Sequence, residues 1–116
     1  MKMLKDKLVQ AKKIGIAGHI RPDGDCVGSC LALYRYLSQK YPEASVCVYL
    51  EVVPEVFRYL KDWETVITYY DEQELPADIF FCLDCSDSER LGAFAGHLQK
   101  AHYSVCIDHH ISNIRY

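Results

Sequence analysis

The sequence predicts an α/β protein built on a parallel, doubly wound sheet with helices on both faces. Three observations predict it. Short runs rich in β-branched and aromatic residues alternate with stretches whose apolar residues recur at helical spacing. One of those runs, residues 77–83, is almost continuously apolar, as a strand covered on both faces is. Acidic and imidazole side chains cluster directly after three of the runs, where an open α/β sheet keeps its ligand crevice.

The elements follow in order. Met1, Leu4, Leu8 and Ala11 stand close to helical spacing, so residues 1–12 form a leading helix. Residues 13–18 are a buried strand whose small residues allow close neighbours. The loop His19-Ile20-Arg21-Pro22-Asp23-Gly24-Asp25 comes next. Pro22 disfavours helix at Arg21, Gly24 permits an unusual turn, and Asp25 can cap the following helix. In that helix Val27, Cys30, Leu31, Tyr34 and Leu37 make one apolar stripe, and Tyr41-Pro42 stops it. Gly28 and Ser29 in its first turn leave backbone amides open to a phosphate. Residues 44–50 are a second strand. Pro54 opens a helix with Val56, Phe57 and Leu60 on its inner face. Residues 65–68 are a short strand and 71–75 a polar connection. Residues 77–83 form the central strand. Ser86 and Glu89 fit a capping box for a helix carrying Leu91, Phe94, Ala95 and Leu98. Residues 103–107 are the last strand. Such alternation gives a Rossmann-like sheet with right-handed crossovers.

With 116 residues, half of them hydrophobic and a quarter charged, the chain is the size of one globular domain. A net charge of -3 argues against a protein that coats nucleic acid. A small phosphorylated substrate remains compatible, because bound metals can supply positive charge locally. Four of the six cysteines (Cys47, Cys82, Cys85 and Cys106) lie in or beside apolar runs. They read as buried thiols of a reducing compartment, although Cys82 and Cys85 have CxxC spacing. No leader peptide or membrane span is evident, so the expected location is cytoplasmic.

The polar clusters are His19, Asp23 and Asp25 after the first strand, Asp84 after the central one, and Asp108-His109-His110 after the last. Each alone has an ordinary explanation: a helix cap or a structural histidine. His97 and His102, with no acidic cluster nearby in sequence, stay structural. Collectively, Asp23, Asp25, Asp84 and Asp108 would set four negative charges on one edge, raising one another's pKa values unless cations sit among them. A carboxylate and imidazole set without sulfur suits Mn2+, with Mg2+ the alternative. A two-metal site binds a phosphoryl oxygen and activates water for in-line attack.

These residues resemble a known family. His19-x-x-x-Asp23-x-Asp25, then Asp84, then Asp108-His109-His110 is similar to the first three motifs of the DHH-family phosphoesterases. The wording from His19 to Ser29 and from Asp108 to Asn113 resembles the bifunctional oligoribonuclease and 3'-phosphoadenosine 5'-phosphate phosphatase branch. The resemblance implies that His19 and Asp23 hold one metal, Asp25 and His109 the other, with Asp84 bridging. It implies that His110 contacts the scissile phosphate and that Asp108 orients the histidines. Two Mn2+ ions are expected in the complete protein, acting on short RNA or DNA oligonucleotides or phosphorylated nucleotides. A homodimer is one expected state of that protein. The family has a fourth motif with a further aspartate ligand and a Gly-rich C-terminal domain that grips substrate. Residues 1–116 are therefore expected to be a DHH catalytic domain cut before both, with a weakened second metal site. Two other readings stand beside this one: hydrolysis of a cyclic dinucleotide or pyrophosphate, and a non-catalytic metal- or nucleotide-binding module.

Overall fold

The computed structural model describes residues 2–83 and 88–107. Helix α1 (Lys2–Gln10) leads into strand β1 (Lys13–Ala17), helix α2 (Gly24–Lys40) and strand β2 (Ser45–Tyr49). Strand β3 (Ile79–Leu83), helix α3 (Ala95–Lys100) and strand β4 (Ser104–Ile107) complete the regular elements. The four strands form one sheet in the order β2-β1-β3-β4, and every pairing is parallel. The predicted α/β class is therefore the one observed.

Alternation along the strands decides what each face buries. Ile14 and Ile16 of β1, Val48 of β2, and Ile79, Phe81 and Leu83 of β3 share a core with Leu8 of α1 and Cys26, Val27, Cys30, Leu31 and Leu37 of α2. The intervening residues Ala17, Tyr49, Phe80 and Cys82 build a second core with Leu91 and Phe94, against which Ala95 and Leu98 pack. The stripe expected on α2 thus faces the sheet, with Tyr34 only half-buried and Cys26 joining it. Each fully buried side chain of that stripe contributes about 1.5–3 kcal/mol. Gly15 is dictated by packing: a Cβ there would lie 2.5 Å from Phe80 Cδ2. A larger residue in β1 would lift the ring off the sheet.

Three expectations change. Residues 65–68 do not make a strand; one parallel bridge, Tyr49 with Ile67, extends the sheet beyond β2. Its bonds run from Ile67 N to Val48 O (2.7 Å) and from Leu50 N to Ile67 O (3.2 Å), too few for a ladder. The helix expected after Pro54 shortens to 3₁₀ turns at Glu55–Phe57 and Trp63–Thr65. Asp62, left-handed at φ 71°, separates them, a backbone state that cannot continue a right-handed helix. The capping box starts on Ser86, outside the described residues. From Ser88 to Phe94 the chain turns as 3₁₀ helix, broken at Gly92 (φ 60°, ψ -128°), before α3 begins.

The polar connection at 71–75 also does more than link elements. Glu74 accepts from Lys13 Nζ at 2.7 Å and from the Tyr49 hydroxyl, while Lys100 Nζ donates to the Glu74 carbonyl at 2.6 Å. Burial works to raise the Glu74 pKa, but the bonds from Lys13 and Tyr49 outweigh it and hold the carboxyl below its usual range. Burial, then the Glu74 contact, pushes the Tyr49 hydroxyl well above its ordinary range. His97 lies in the same layer, 4% exposed, its ring 4.7 Å from those of Tyr49 and Tyr70. It is packed among aromatic rings, and burial lowers its pKa. No described helix is long and apolar enough to cross a membrane.

Candidate metal centre

The strand order fixes where a ligand would sit. From β1 the chain crosses to β2 on one side; from β3 it continues to β4 on the other. The connections that leave β1 and β3 therefore diverge, opening a crevice between those strands at their carboxyl ends. The loop carrying His19, Asp23 and Asp25 leaves β1 at that crevice. Leu83, the last residue of β3, precedes Asp84 in the sequence. Asp84, Asp108, His109 and His110 lie outside the described residues, as does Cys85 of the CxxC pair.

Each turn of the described loop has an identifiable anchor. Gly18 packs so closely that a Cβ would collide with Cys26 Sγ and lie 3.0 Å from Leu50 Cδ2. The chain can pass only because that residue has no side chain. His19 is half-buried, and its Nδ1 lies 2.7 Å from the Ile20 carbonyl oxygen. A carbonyl can only accept, so Nδ1 carries the proton and Nε2 is the nitrogen that can ligate. Arg21 adopts a left-handed backbone at φ 52°. Its N–H donates to Glu51 Oε1 at 3.0 Å, bringing in the residue that follows β2 by two positions. Ile20 packs against Gly92, where a Cβ would lie 2.6 Å from Ile20 Cγ2. Gly92 therefore serves both the left-handed kink before α3 and the close approach of this loop.

Asp23, not Asp25, caps α2. Its Oδ1 accepts the Cys26 N–H at 2.9 Å and its carbonyl accepts the Val27 N–H at 3.0 Å. The three-residue reach from side chain to backbone is the N-cap geometry, and Asp25 falls instead within the first turn. With the helix starting at Gly24, residues 28 and 29 lie a turn further in. Their amides belong to the helical ladder and are not open to a phosphate, contrary to expectation. Gly24 is also explained differently: a Cβ there would meet Phe57 Cε1 at 3.0 Å, so it is kept small by the neighbouring loop rather than by an unusual turn.

The donors present suit a hard divalent ion. They are one imidazole nitrogen turned away from its backbone partner, one carboxylate with Oδ1 committed to the cap and Oδ2 remaining, and the exposed Asp25. Among the described residues, no three His, Cys, Asp or Glu side chains converge closely enough to hold a metal. His19, Asp23 and Asp25 thus stand along one short stretch without forming a complete ligand set. The cysteines nearest the loop, Cys26 and Cys30, are packed in the core, and no disulfide joins the described cysteines.

Sequence reasoning missed Glu51. It is an exposed acid just past a strand, and nothing in its local pattern marks it. Only the tertiary contact with Arg21 does.

The sequence from 13 to 116 matches the DHH family, N-terminal domain. Among solved structures, an exopolyphosphatase-related protein from Bacteroides fragilis superposes with a TM-score of 0.82 at 25% identity. The match covers 95% of this chain and 34% of that protein, so the chain spans only that fraction of its neighbour's length. Comparison with curated proteins gives no match.

Proposed function

The chain belongs to the DHH family, and from that membership we propose that it is the metal-holding domain of a phosphoesterase. The substrates we assign are short oligonucleotides and 3'-phosphoadenosine 5'-phosphate. The observation that carries the reading is the loop at the β1–β3 crevice, with His19 pinned through Nδ1 and Asp23 fixed by its cap. Both side chains are held by local hydrogen bonds, so less side-chain freedom would be lost if an ion bound.

In this reading His19 and Asp23 would hold one Mn2+, Asp25 and His109 a second, and Asp84 would serve as a ligand to both. Mg2+ is the alternative ion. Bound divalent ions would supply Lewis acidity toward a phosphoryl oxygen and lower the pKa of an attacking water. His19 would contribute Nε2, because Nδ1 keeps its proton and donates it to the Ile20 carbonyl. Asp23 contributes charge at the amino end of α2, where the helix dipole favours an anion. His110 would lie against the phosphate and Asp108 would orient the histidine pair. A fourth aspartate ligand and the substrate-gripping domain would come from a C-terminal region of the family's kind.

A second reading has support of its own. The structural neighbour's description as exopolyphosphatase-related favours cleavage of a phosphoanhydride at the end of a polyphosphate or pyrophosphate. One assay separates the two. Mn2+-dependent release of phosphate or mononucleotide is measured from 3'-phosphoadenosine 5'-phosphate, a dinucleotide and a short polyphosphate. It is run on this chain and on a form fused after Tyr116 to a DHH-family C-terminal domain. Turnover of the nucleotide substrates by the fused form, abolished by Asp84→Asn, is the expected result. Turnover of polyphosphate alone selects the second reading. Mn2+ binding without turnover of any of the three leaves a binding module.

A further inference from the structure

The loop between the two candidate ligands contains one residue in a costly backbone state. Arg21 is left-handed at φ 52° and is followed by Pro22. A non-glycine residue disfavours that region, and the proline ring further restricts the residue before it. Arg21 lies two residues after His19 and two before Asp23, so its backbone angles set how the two side chains stand relative to each other. Those side chains are each fixed locally, His19 by the Ile20 carbonyl and Asp23 by the Cys26 amide. What remains to be fixed is the bend between them.

The Glu51 carboxylate meets that bend directly, accepting the Arg21 N–H at 3.0 Å. Its own backbone is well placed to act as an anchor. The preceding residue, Leu50, is fully buried, and its N–H donates to the Ile67 carbonyl at 3.2 Å. Glu51 thus reaches from the end of β2 to the loop that leaves β1. On the far side, Ile20 closes against Gly92. The loop is gripped on both sides, and Glu51 supplies the polar grip.

We infer that Glu51 is a positioning residue of the metal centre, its carboxylate holding Arg21 left-handed so that His19 and Asp23 are presented at a fixed separation. This rests on the metal-site reading above. A group that orients ligands without touching the ion commonly changes metal affinity by tenfold or more when removed.

The test compares wild type, Glu51→Ala and Glu51→Gln. Both substitutions remove the charge, but the glutamine amide oxygen still accepts a hydrogen bond. Without metal, NMR follows hydrogen exchange of the Arg21 amide and the His19 ring resonances. Calorimetry then titrates Mn2+ alone. Glu51→Ala is expected to speed exchange at Arg21, shift the His19 resonances and weaken Mn2+ binding about tenfold. Glu51→Gln is expected to stay near wild type in all three. Equal losses in both variants would mean that charge alone matters, and would overturn the inference. So would unchanged Arg21 and His19 signals in Glu51→Ala. A wild-type chain that takes up no Mn2+ would defeat the metal reading, while the metal-free signals would still decide whether Glu51 fixes the loop.

Discussion

Asp23 has one observed duty and one proposed for it, and substitution can separate the two. Its Oδ1 caps α2 through the Cys26 amide at 2.9 Å, and its carboxylate is assigned to a metal. Asparagine caps about as well as aspartate, but it lacks the charge. Losing a negative charge at a helix amino end costs about 0.3–1 kcal/mol, and the exposed position of Asp23 favours the lower figure. Alanine loses the cap as well, for about 1 kcal/mol more. In a domain of this size that further loss lowers Tm by about 4 °C. Circular dichroism melts without metal should therefore rank wild type and Asp23→Asn close together, with Asp23→Ala clearly below. Mn2+ at about a hundred times its Kd should add about 2.7 kcal/mol to wild type. It should add much less to either variant. If Asp23→Asn melts as low as Asp23→Ala, the cap is not what Oδ1 supplies. If Mn2+ protects Asp23→Asn as fully as wild type, Asp23 is not a ligand.

Other perturbations test the frame around the site. Gly15→Ala drives a Cβ to 2.5 Å from Phe80 Cδ2 and should cost about 1–3 kcal/mol in urea unfolding. Gly92→Ala combines a left-handed backbone with a Cβ 2.6 Å from Ile20 Cγ2. It should lose about 1–3 kcal/mol and weaken Mn2+ uptake through the displaced loop, measured by melts and calorimetry. The buried His97 has a pKa pushed below its ordinary 6.5, chiefly by burial. The unfolded chain takes up that proton first, so stability should fall as pH drops from about 6.5 through the lowered folded value. His97→Phe should flatten that stretch of a stability–pH curve. Asp78 accepts the Lys12 and Lys13 amides at 2.8 and 3.1 Å, and the Lys12 bond is the main cause of its lowered pKa. Its contribution should be complete above pH 3.8, the ordinary carboxylate value, and vanish as pH falls through the folded one. Asp78→Ala should remove that acid-side loss.

What could be read in the sequence is what local pattern encodes. The spacing of Val27, Cys30, Leu31 and Leu37 identified the buried side of α2, and the apolar run at Ile79–Leu83 identified the central strand. The position of the His19 loop at a strand's carboxyl end followed from the same alternation. Where two nearby residues could serve one role, pattern did not choose. Asp23 and Asp25 both stand where the helix begins, and the bond to Cys26 shows which one caps it. Long-range polar contacts left no local trace. Lys13, Tyr49, Glu74 and His97 come from four separate stretches of chain, and Glu51 meets Arg21 only after the sheet has formed. The expected helix after Pro54 gives way to 3₁₀ turns at Glu55–Phe57 and Trp63–Thr65, the second preceded by a left-handed Asp62 that its composition does not announce.

The strand order has a consequence for how the molecule assembles. Central β1 pairs Lys13 with Ser45 and Ile14 with Ile79, so neither of its neighbours is close in sequence. Pairings of this kind form slowly, because long stretches of chain must be closed before the contacts are gained. The loop after β1 meets Glu51 only when β2 has docked, and Gly92 only when the chain beyond β3 has folded back. Its geometry therefore needs both dockings to be complete. An ion bound there would act as a late fastener, slowing escape from the native state while leaving the rate of folding nearly unchanged.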